Sequence, residues 1–360
     1  MLYDFVIIGA GIAGSSITYF LKEKSRKNRN NLKLLVVDKV GICQKASNAA
    51  GAFLFPKVGF NTKYTKFVNE ALIFAFQFYE KIGVNTHKEG VLILPRDEKD
   101  ILKFKEYKKS FQLKYKEKGE GFFFNDGGFV DSEKTCQKLL EGIEFQKIEI
   151  IDIVKKDNYF ILNDSIKTKN IVLATGWEDL LKIDYIKIRP VWGQRIEIKT
   201  DIKPEFNYHK NCSVSKNIDG VVKIGATHER RWSEKIADSE NNKILLEKAS
   251  EILDIDGEII SMKAGMRAGS IDYFPIIGKV IDSKESLKQY PKIVKGEIPK
   301  GELCYKEGIF IINGGGGRGF SNYLYSADFL SDYILFNTPL PEFLDTKRIF
   351  IKWARRLENN

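Results

Sequence analysis

Gly9-Ala10-Gly11-Ile12-Ala13-Gly14 and Asp38 are the residues whose types and spacing speak most directly of chemistry. A Gly-x-Gly-x-x-Gly turn followed by an acid suits the binding of a dinucleotide. Gly9 permits a tight turn, Gly11 lets a pyrophosphate approach the backbone, and Gly14 lets a helix pack on the preceding strand. The free N–H groups at the start of that helix hold the anion. Asp38 can accept hydrogen bonds from ribose hydroxyls, and a carboxylate there favours an adenosine without a ribose phosphate. Context gives the turn its meaning. It follows the buried-type run Asp4-Phe5-Val6-Ile7-Ile8 and opens a helix predicted over residues 13 to 22, and a strand predicted over residues 32 to 37 ends at Asp38.

Three later segments are candidates for the same ligand. The stretch from Gln44 to Ala52, with Ser47, Asn48, Gly51 and Ala52, is too rich in small and polar residues for a buried strand and suits either a cofactor wall or a surface loop. A short apolar strand runs into Ala174-Thr175-Gly176, where small residues would let a ligand lie against the strand end. A further apolar strand, residues 308 to 313, feeds Gly314-Gly315-Gly316-Gly317-Arg318-Gly319-Phe320, with a helix predicted over residues 322 to 335. Four consecutive glycines cost folding entropy, so backbone lying against a ligand explains them better than a plain loop.

Composition narrows the class. The 360 residues can bury a full core, and no apolar run is long enough to span a bilayer. The first strand begins at residue 3 or 4, which leaves no signal peptide and suggests a cytoplasmic protein that does not engage membranes. Cys43, Cys136, Cys212 and Cys304 and the histidines His87, His209 and His228 are too scattered for a metal site, and no serine-hydrolase elbow occurs. The chemistry is expected from a bound cofactor, with no metal. Net charge is +10, with basic clusters at residues 22 to 29, 103 to 118 and at Lys347, Arg348, Lys352, Arg355 and Arg356. Such clusters either follow a nucleic-acid backbone or form a solvated lysine-rich surface.

The elements that must position these residues read as an interleaved α/β chain. Phe67, Ala71, Leu72, Phe74, Ala75, Phe78 and Tyr79 recur at helical spacing over residues 63 to 82 and form a core stripe. A strand is predicted at residues 90 to 95 and an exposed basic helix at 97 to 115, with a further helix at 132 to 140 and a hairpin within 147 to 166. Residues 188 to 224 read as an antiparallel sheet for substrate, followed by His228, a proton carrier or a structural residue, and by a helix over about 240 to 253. The expected division places 1–84, 125–182 and 264–360 in a Rossmann-type dinucleotide domain and 85–124 and 183–263 in a substrate domain.

With both ends of a cofactor site in view, the chain resembles the D-amino-acid oxidase and glycine oxidase superfamily of FAD enzymes. Ala174-Thr175-Gly176 resembles the second signature of such flavoproteins. Within the superfamily, Ala46-Ser47-Asn48-Ala49-Ala50-Gly51-Ala52 through Pro56 is similar to a segment of the oxidase domain of the MnmC family, which modifies the tRNA wobble uridine. One glycine is missing and one residue is added before the proline. Pro190-Val191-Trp192-Gly193-Gln194, Gly265-Met266-Arg267 with Asp272 and Pro275, and the basic tail from Lys347 to Lys352 extend the resemblance. It implies a Rossmann-type FAD-binding domain interleaved with an antiparallel-sheet substrate domain. FAD would be held by Gly9 to Gly14, Asp38, Lys39, Ser47, Asn48, Gly51, Ala52, Ala174 to Gly176 and Gly315 to Phe320.

The resemblance further implies oxidation of carboxymethylaminomethyl-uridine in tRNA. Hydride leaves the carbon between nitrogen and carboxylate, the imine hydrolyses, glyoxylate departs, and aminomethyl-uridine remains. Molecular oxygen would reoxidise the flavin. A separate methyltransferase would supply the activity usually fused to such oxidases. Arg267 and Arg318 match the family's arginines and would grip the substrate carboxylate bidentately, with Tyr273 and His228 lining the site. Two other readings stay open: an oxidase or dehydrogenase of free glycine, sarcosine or a D-amino acid, and a flavin-fold protein that binds tRNA without oxidising it.

Overall fold

The computed structural model describes residues 1–231 and 233–357, which form two large sheets and a small two-stranded one. The first strand, β1 (Leu2–Ile8), is almost entirely apolar from Phe5 onward and is buried there on both faces, so it occupies the middle of a parallel sheet. It pairs in parallel with β2 (Leu34–Asp38) on one side and with Ile166–Leu173 on the other. Beyond these lie Glu144–Lys147 and Tyr305–Asn313, both parallel, and Ile276–Ile281, an antiparallel edge. A hairpin of Ile153–Lys155 and Phe160–Leu162 extends Ile166–Leu173.

The crossover helix α1 (Ile12–Lys27) connects β1 to β2 and runs five residues beyond the predicted end. Ser25 is still buried and Lys24 is fixed by Asp328 and Asp332, each at 2.7 Å. Those carboxylates sit on the helix Gly319–Phe336, which packs beside α1. Gly14 sits where the helix presses on the strand, since a Cβ there would stand 1.8 Å from the Gly9 carbonyl oxygen. The aromatic stripe of helix Lys63–Lys81 is core, with Phe67, Leu72, Phe78 and Tyr79 all buried against α1 and Gly319–Phe336.

The second sheet has nine strands. Its spine is the long antiparallel pair Arg189–Lys199 and Glu258–Gly269, with Glu229–Arg230 flanking the first of these. From Arg189–Lys199 the sheet continues through Val221–Gly225, Ser213–Val214, Asn207–His209, Val91–Ile93, Gly121–Phe124 and Tyr115–Lys118. Its pairings are antiparallel except that Asn207–His209 runs parallel to Val91–Ile93. Glu258–Gly269 crosses from this sheet to the glycine-rich loop, pairing Gly269 with Gly315.

Two expectations are corrected here. The basic helix predicted to Tyr115 ends at Tyr107, after Asp97 has capped it by accepting the Asp100 N–H at 2.8 Å. From Phe111 onward the apolar residues alternate, and Phe111 and Tyr115 set their rings 4.9 and 5.2 Å from Phe122, a period-two pattern that only extended chain can bury. The tail is also not a free basic arm. It forms a docked helix, Thr346–Ala354, whose Ile349, Phe350 and Ala354 are buried, while near the other end of the chain a short helix, α2 (Lys45–Ala49), follows β2. Arg348 points inward, donating to Asp272 at 2.9 and 3.2 Å and to the carbonyls of Phe274 and Pro275 at 3.0 Å each. Among the described residues no helix is long and apolar enough to cross a membrane.

The Arg348 tie joins the C-terminal helix to the turn before the edge strand. Arg348→Met strands a largely buried carboxylate and two carbonyls, and should cost about 2–4 kcal/mol in urea unfolding. A loss below about 0.5 kcal/mol would show that the tie is dispensable.

Candidate functional site

A cavity of about 690 Å³ lies where the strand ends of the parallel sheet meet the second sheet. That volume is in the range of cofactor and ligand sites. One arm of it is walled by Gly9, Gly11, Ile12 and Ala13, by Asp38 and Lys39 at the end of β2, and by Ala174, Thr175 and Gly176. The other arm is walled by Phe55, Tyr64, His209, Ser213, Arg267 and Arg318. Gly316 to Phe320, Ser47, Gly51 and Ala52 also line it.

Hydrogen bonds hold these pieces in register. The Ser47 hydroxyl on α2 accepts the Ile12 N–H at 3.0 Å, at the N-terminus of α1. Asp38 accepts the N–H groups of Ala10, Val40 and Gly41 at 2.9, 2.8 and 3.0 Å, which leaves part of a carboxylate's acceptor capacity for a ligand. Asn313 donates to the Gly176 carbonyl at 2.7 Å and accepts the Gly314 N–H at 2.8 Å, tying the Ala-Thr-Gly end to the glycine-rich loop. Lys39 binds Glu178 at 2.7 Å and Glu149 at 3.2 Å, so its charge is engaged by protein carboxylates.

The glycine-rich loop forms a short turn, Gly316–Arg318, and the helix after it begins at Gly319, three residues ahead of expectation. That turn carries Arg318 into the cavity, where its Nη1 donates to the Phe55 carbonyl. Arg267 reaches the same space from Glu258–Gly269 and donates to the Thr227 carbonyl at 3.1 Å. Gly193 on the paired strand makes room for it, since a Cβ there would stand 2.4 Å from both terminal nitrogens of the guanidinium. Neither arginine has a carboxylate partner among the described residues. Burial draws the Arg267 guanidinium down to about 10 and also lowers that of Arg318. Two part-buried cations that face one cavity and are held only by neutral carbonyls suit an anion from outside the chain.

Most of the sequence candidates meet at this cavity, and several do not. Ala10 and Gly14 stand behind the wall as backbone of the turn. Asn48 takes the Lys263 ammonium at 2.8 Å and lies off the wall, and Gly315 gives its N–H to the Tyr323 hydroxyl at 2.8 Å. Tyr273 is 59% exposed, with the Arg189 guanidinium 4.7 Å over its ring. His228 is exposed and also lies off the wall, in the short link between Val221–Gly225 and Glu229–Arg230. Cys43 is buried beneath the turn, its thiol donating to the Ser132 carbonyl.

Sequence reading missed Tyr64, His209 and Lys57. His209 lines the cavity, bonded through Nδ1 to the Ser213 hydroxyl at 3.0 Å and with its ring 6.1 Å from that of Phe55. Tyr64 faces Arg318, and the Lys57 ammonium lies 5.6 Å over the Tyr64 ring. Lys57 is lowered from the usual range by burial and then by Arg318 and Arg96. The signal for these three was slight, since a single histidine in a polar strand and a tyrosine in a helix look like ordinary structure.

The donor set fits an FAD. A helix N-terminus with glycine backbone suits a pyrophosphate, the spare acceptor capacity of Asp38 suits ribose hydroxyls, and the place a Cβ of Gly11 would take lies 2.9 Å from the Ser47 hydroxyl, so the cradle admits backbone only.

Comparison with known proteins bears on this geometry. A family model described as DAO, FAD dependent oxidoreductase, matches residues 4–333. The tRNA 5-methylaminomethyl-2-thiouridine biosynthesis bifunctional protein MnmC of Campylobacter fetus is 23% identical over 94% of this chain, which spans 57% of that relative. Glycine oxidase of Geobacillus kaustophilus superposes with a TM-score of 0.73 at 16% identity, covering 94% of this chain and 96% of its own. Iminodiacetate oxidase of Chelativorans sp. BNC1 gives 0.73 at 16% identity, covering 94% and 98%.

Burial, followed by the charges of Arg318, Arg96 and Lys57, lowers the His209 imidazole from 6.5 to about 4. The unfolded chain therefore takes up a proton that the fold refuses, and stability falls as pH drops from 6.5 toward 4. His209→Gln should make the urea midpoint decline less steeply than wild type across that window. Equal slopes would remove His209 as the cause.

Proposed function

Because the chain belongs to the DAO family of FAD-dependent oxidoreductases, we propose that it oxidises the C–N bond of an N-carboxymethyl amine and that this amine is carried on the wobble uridine of tRNA. The reaction removes the carboxymethyl group of carboxymethylaminomethyl-uridine as glyoxylate and leaves aminomethyl-uridine. The observation that carries the reading is the pair of part-buried guanidiniums, Arg267 and Arg318, which lack carboxylate partners among the described residues and open on one cavity. The names of similar proteins support the two halves of the substrate. The MnmC relative is named for tRNA, and iminodiacetate is itself an N-carboxymethyl amine.

Bound FAD supplies the two-electron acceptor, with molecular oxygen as the final oxidant. The remaining work belongs to the chain. Gly9, Gly11, Ile12, Ser47, Asp38, Ala174 to Gly176 and Gly316 to Phe320 would hold the dinucleotide. Arg267 and Arg318 would hold the substrate carboxylate in a bidentate grip and so fix the reacting carbon. Phe55 and Tyr64 would exclude water beside them, and a neutral His209 would accept or donate one hydrogen bond without adding a third charge. In this reading the parallel sheet is the FAD half (1–84, 125–182 and 264–360), and the second sheet is the substrate half (85–124 and 183–263). The strand Glu258–Gly269 delivers Arg267 across their boundary. A separate methyltransferase would act on the aminomethyl product.

A cavity with these arginines also suits a free N-substituted glycine, and salt separates the two readings. Turnover on tRNA should fall steeply with ionic strength, whereas turnover on sarcosine should change little. The direct experiment incubates the FAD-loaded protein with carboxymethylaminomethyl-modified tRNA and follows wobble nucleosides by mass spectrometry. Conversion to aminomethyl-uridine is expected, and an unchanged nucleoside together with rapid sarcosine oxidation would reject the tRNA reading. Arg318→Ala should retain flavin while kcat/KM falls by at least about 30-fold, the scale of a lost charged hydrogen-bond pair. Unchanged kinetics would take Arg318 out of the substrate site.

A further inference from the structure

Tyr273 stands in a backbone conformation that its side chain does not favour. Its φ of 70° lies in the left-handed region, which glycine enters freely and a bulky residue seldom does. The neighbours hold it there. Asp272 and the carbonyls of Phe274 and Pro275 are bound by Arg348, and the Phe274 ring is packed 5.7 and 5.1 Å from those of Phe67 and Phe343. The Tyr273 ring itself is 59% exposed, so the core does not call for it. A glycine here would relieve the backbone and forfeit little packing, which makes a tyrosine at this position a candidate for work at the surface.

The surroundings of the ring suit a planar ligand. Arg189 lies 4.7 Å over it, with its guanidinium fixed on the Ser270 carbonyl by bonds of 3.1 and 2.6 Å. The Tyr64 ring lies 5.9 Å away, inclined at 42°. Tyr64 is in the first turn of helix Lys63–Lys81, meets Phe274 edge-on at 5.3 Å, and lines the cavity that holds Arg318. The Lys57 ammonium lies 5.6 Å over the Tyr64 ring, so each tyrosine has a cation above it. Two rings thus lead from the cavity wall to the surface. Because packing already fixes them, they lose little freedom when a flat ligand stacks on them.

We propose that Tyr64 and Tyr273 form the stacking platform for the base of the reacting nucleotide, and that Tyr273 separates an amine carried on a nucleotide from a free one. The inference rests on the tRNA reading above. In a carboxymethylaminomethyl-uridine four bonds separate the carboxylate carbon from the uracil ring, about 5 Å when extended. A carboxylate held by Arg267 and Arg318 therefore brings the heterocycle within reach of the tyrosines. A free N-substituted glycine has no ring to place there and leaves Tyr273 untouched.

Steady-state kinetics of the FAD-loaded protein on carboxymethylaminomethyl-modified tRNA and on sarcosine test it. Tyr273→Gly should raise KM for the tRNA at least about fivefold, the scale of one lost base–aromatic contact. It should leave kcat on tRNA and all sarcosine kinetics within about twofold of wild type, the signature of lost binding alone. Its Tm should hold, because the backbone is relieved where the ring contacts are lost. Tyr273→Asn, which also tolerates left-handed backbone, should behave like Tyr273→Gly. Tyr273→Trp should keep the wild-type KM, since stacking needs only a ring. If wild type converts the tRNA but Tyr273→Gly and Tyr273→Asn match it, or slow tRNA and sarcosine alike, the platform is wrong and the tRNA reading stands. If wild type does not convert the tRNA, both fall.

Discussion

A guanidinium drawn part-way into a fold without a carboxylate beside it is costly, and this fold sets two of them on the wall of one cavity. Arg267 and Arg318 are each held by a backbone carbonyl, that of Thr227 and that of Phe55. Arg267 and its carbonyl partner both lie in or beside the second sheet, whereas Arg318 leaves the turn after a strand of the parallel sheet and reaches a carbonyl beside the small two-stranded sheet, so those parts must meet in a fixed relation for Arg318 to be held. The Gly193 notch on the strand paired with Arg267 serves the same end, because any side chain there would displace the guanidinium.

Where the other charges go is part of the same account. The chain is basic overall, yet many of its cations serve internal contacts. Lys24 clamps α1 to Gly319–Phe336 through Asp328 and Asp332. Lys39 and Lys45 converge on Glu178 at 2.7 and 2.6 Å, closing one flank of the cavity mouth. Arg348 is consumed by Asp272 and two carbonyls. Net charge therefore says little about partners until the cations held inside the fold are set apart from those on its surface.

The dinucleotide half was legible in the sequence because its requirements are local. A strand, a turn with three glycines, a helix and a terminal acid lie within residues 2 to 38, and each residue answers to its own backbone or its immediate neighbour. The substrate end was only half legible. Arg267 and Arg318 stood out beside glycines, but His209 enters the cavity through a parallel pairing with Val91–Ile93, more than a hundred residues away in sequence. Nothing near His209 announces that partner, whereas His228, followed by charged residues after a strand, looked more active and lies outside. Arg348 misled for a related reason, since a basic residue in a charged run reads the same whether it faces water or a buried aspartate. The lysine-rich helix was read too long because charge masked the alternation of Phe111, Leu113 and Tyr115.

The Ser47 hydroxyl that caps α1 has a consequence for how the protein assembles. Ser47 lies on α2, and α2 is fixed from the far side: Arg195 donates to the carbonyls of Asn48 and Ala49 at 3.3 and 3.4 Å, and Lys263 holds the Asn48 side chain at 2.8 Å. Both of those residues belong to the spine of the second sheet. The anion-binding end of α1 is thus encoded in the first fourteen residues but is completed by strands about 180 and 250 residues later. The glycine fingerprint by itself is therefore half a site, and its hydroxyl partner is held in place by the other sheet.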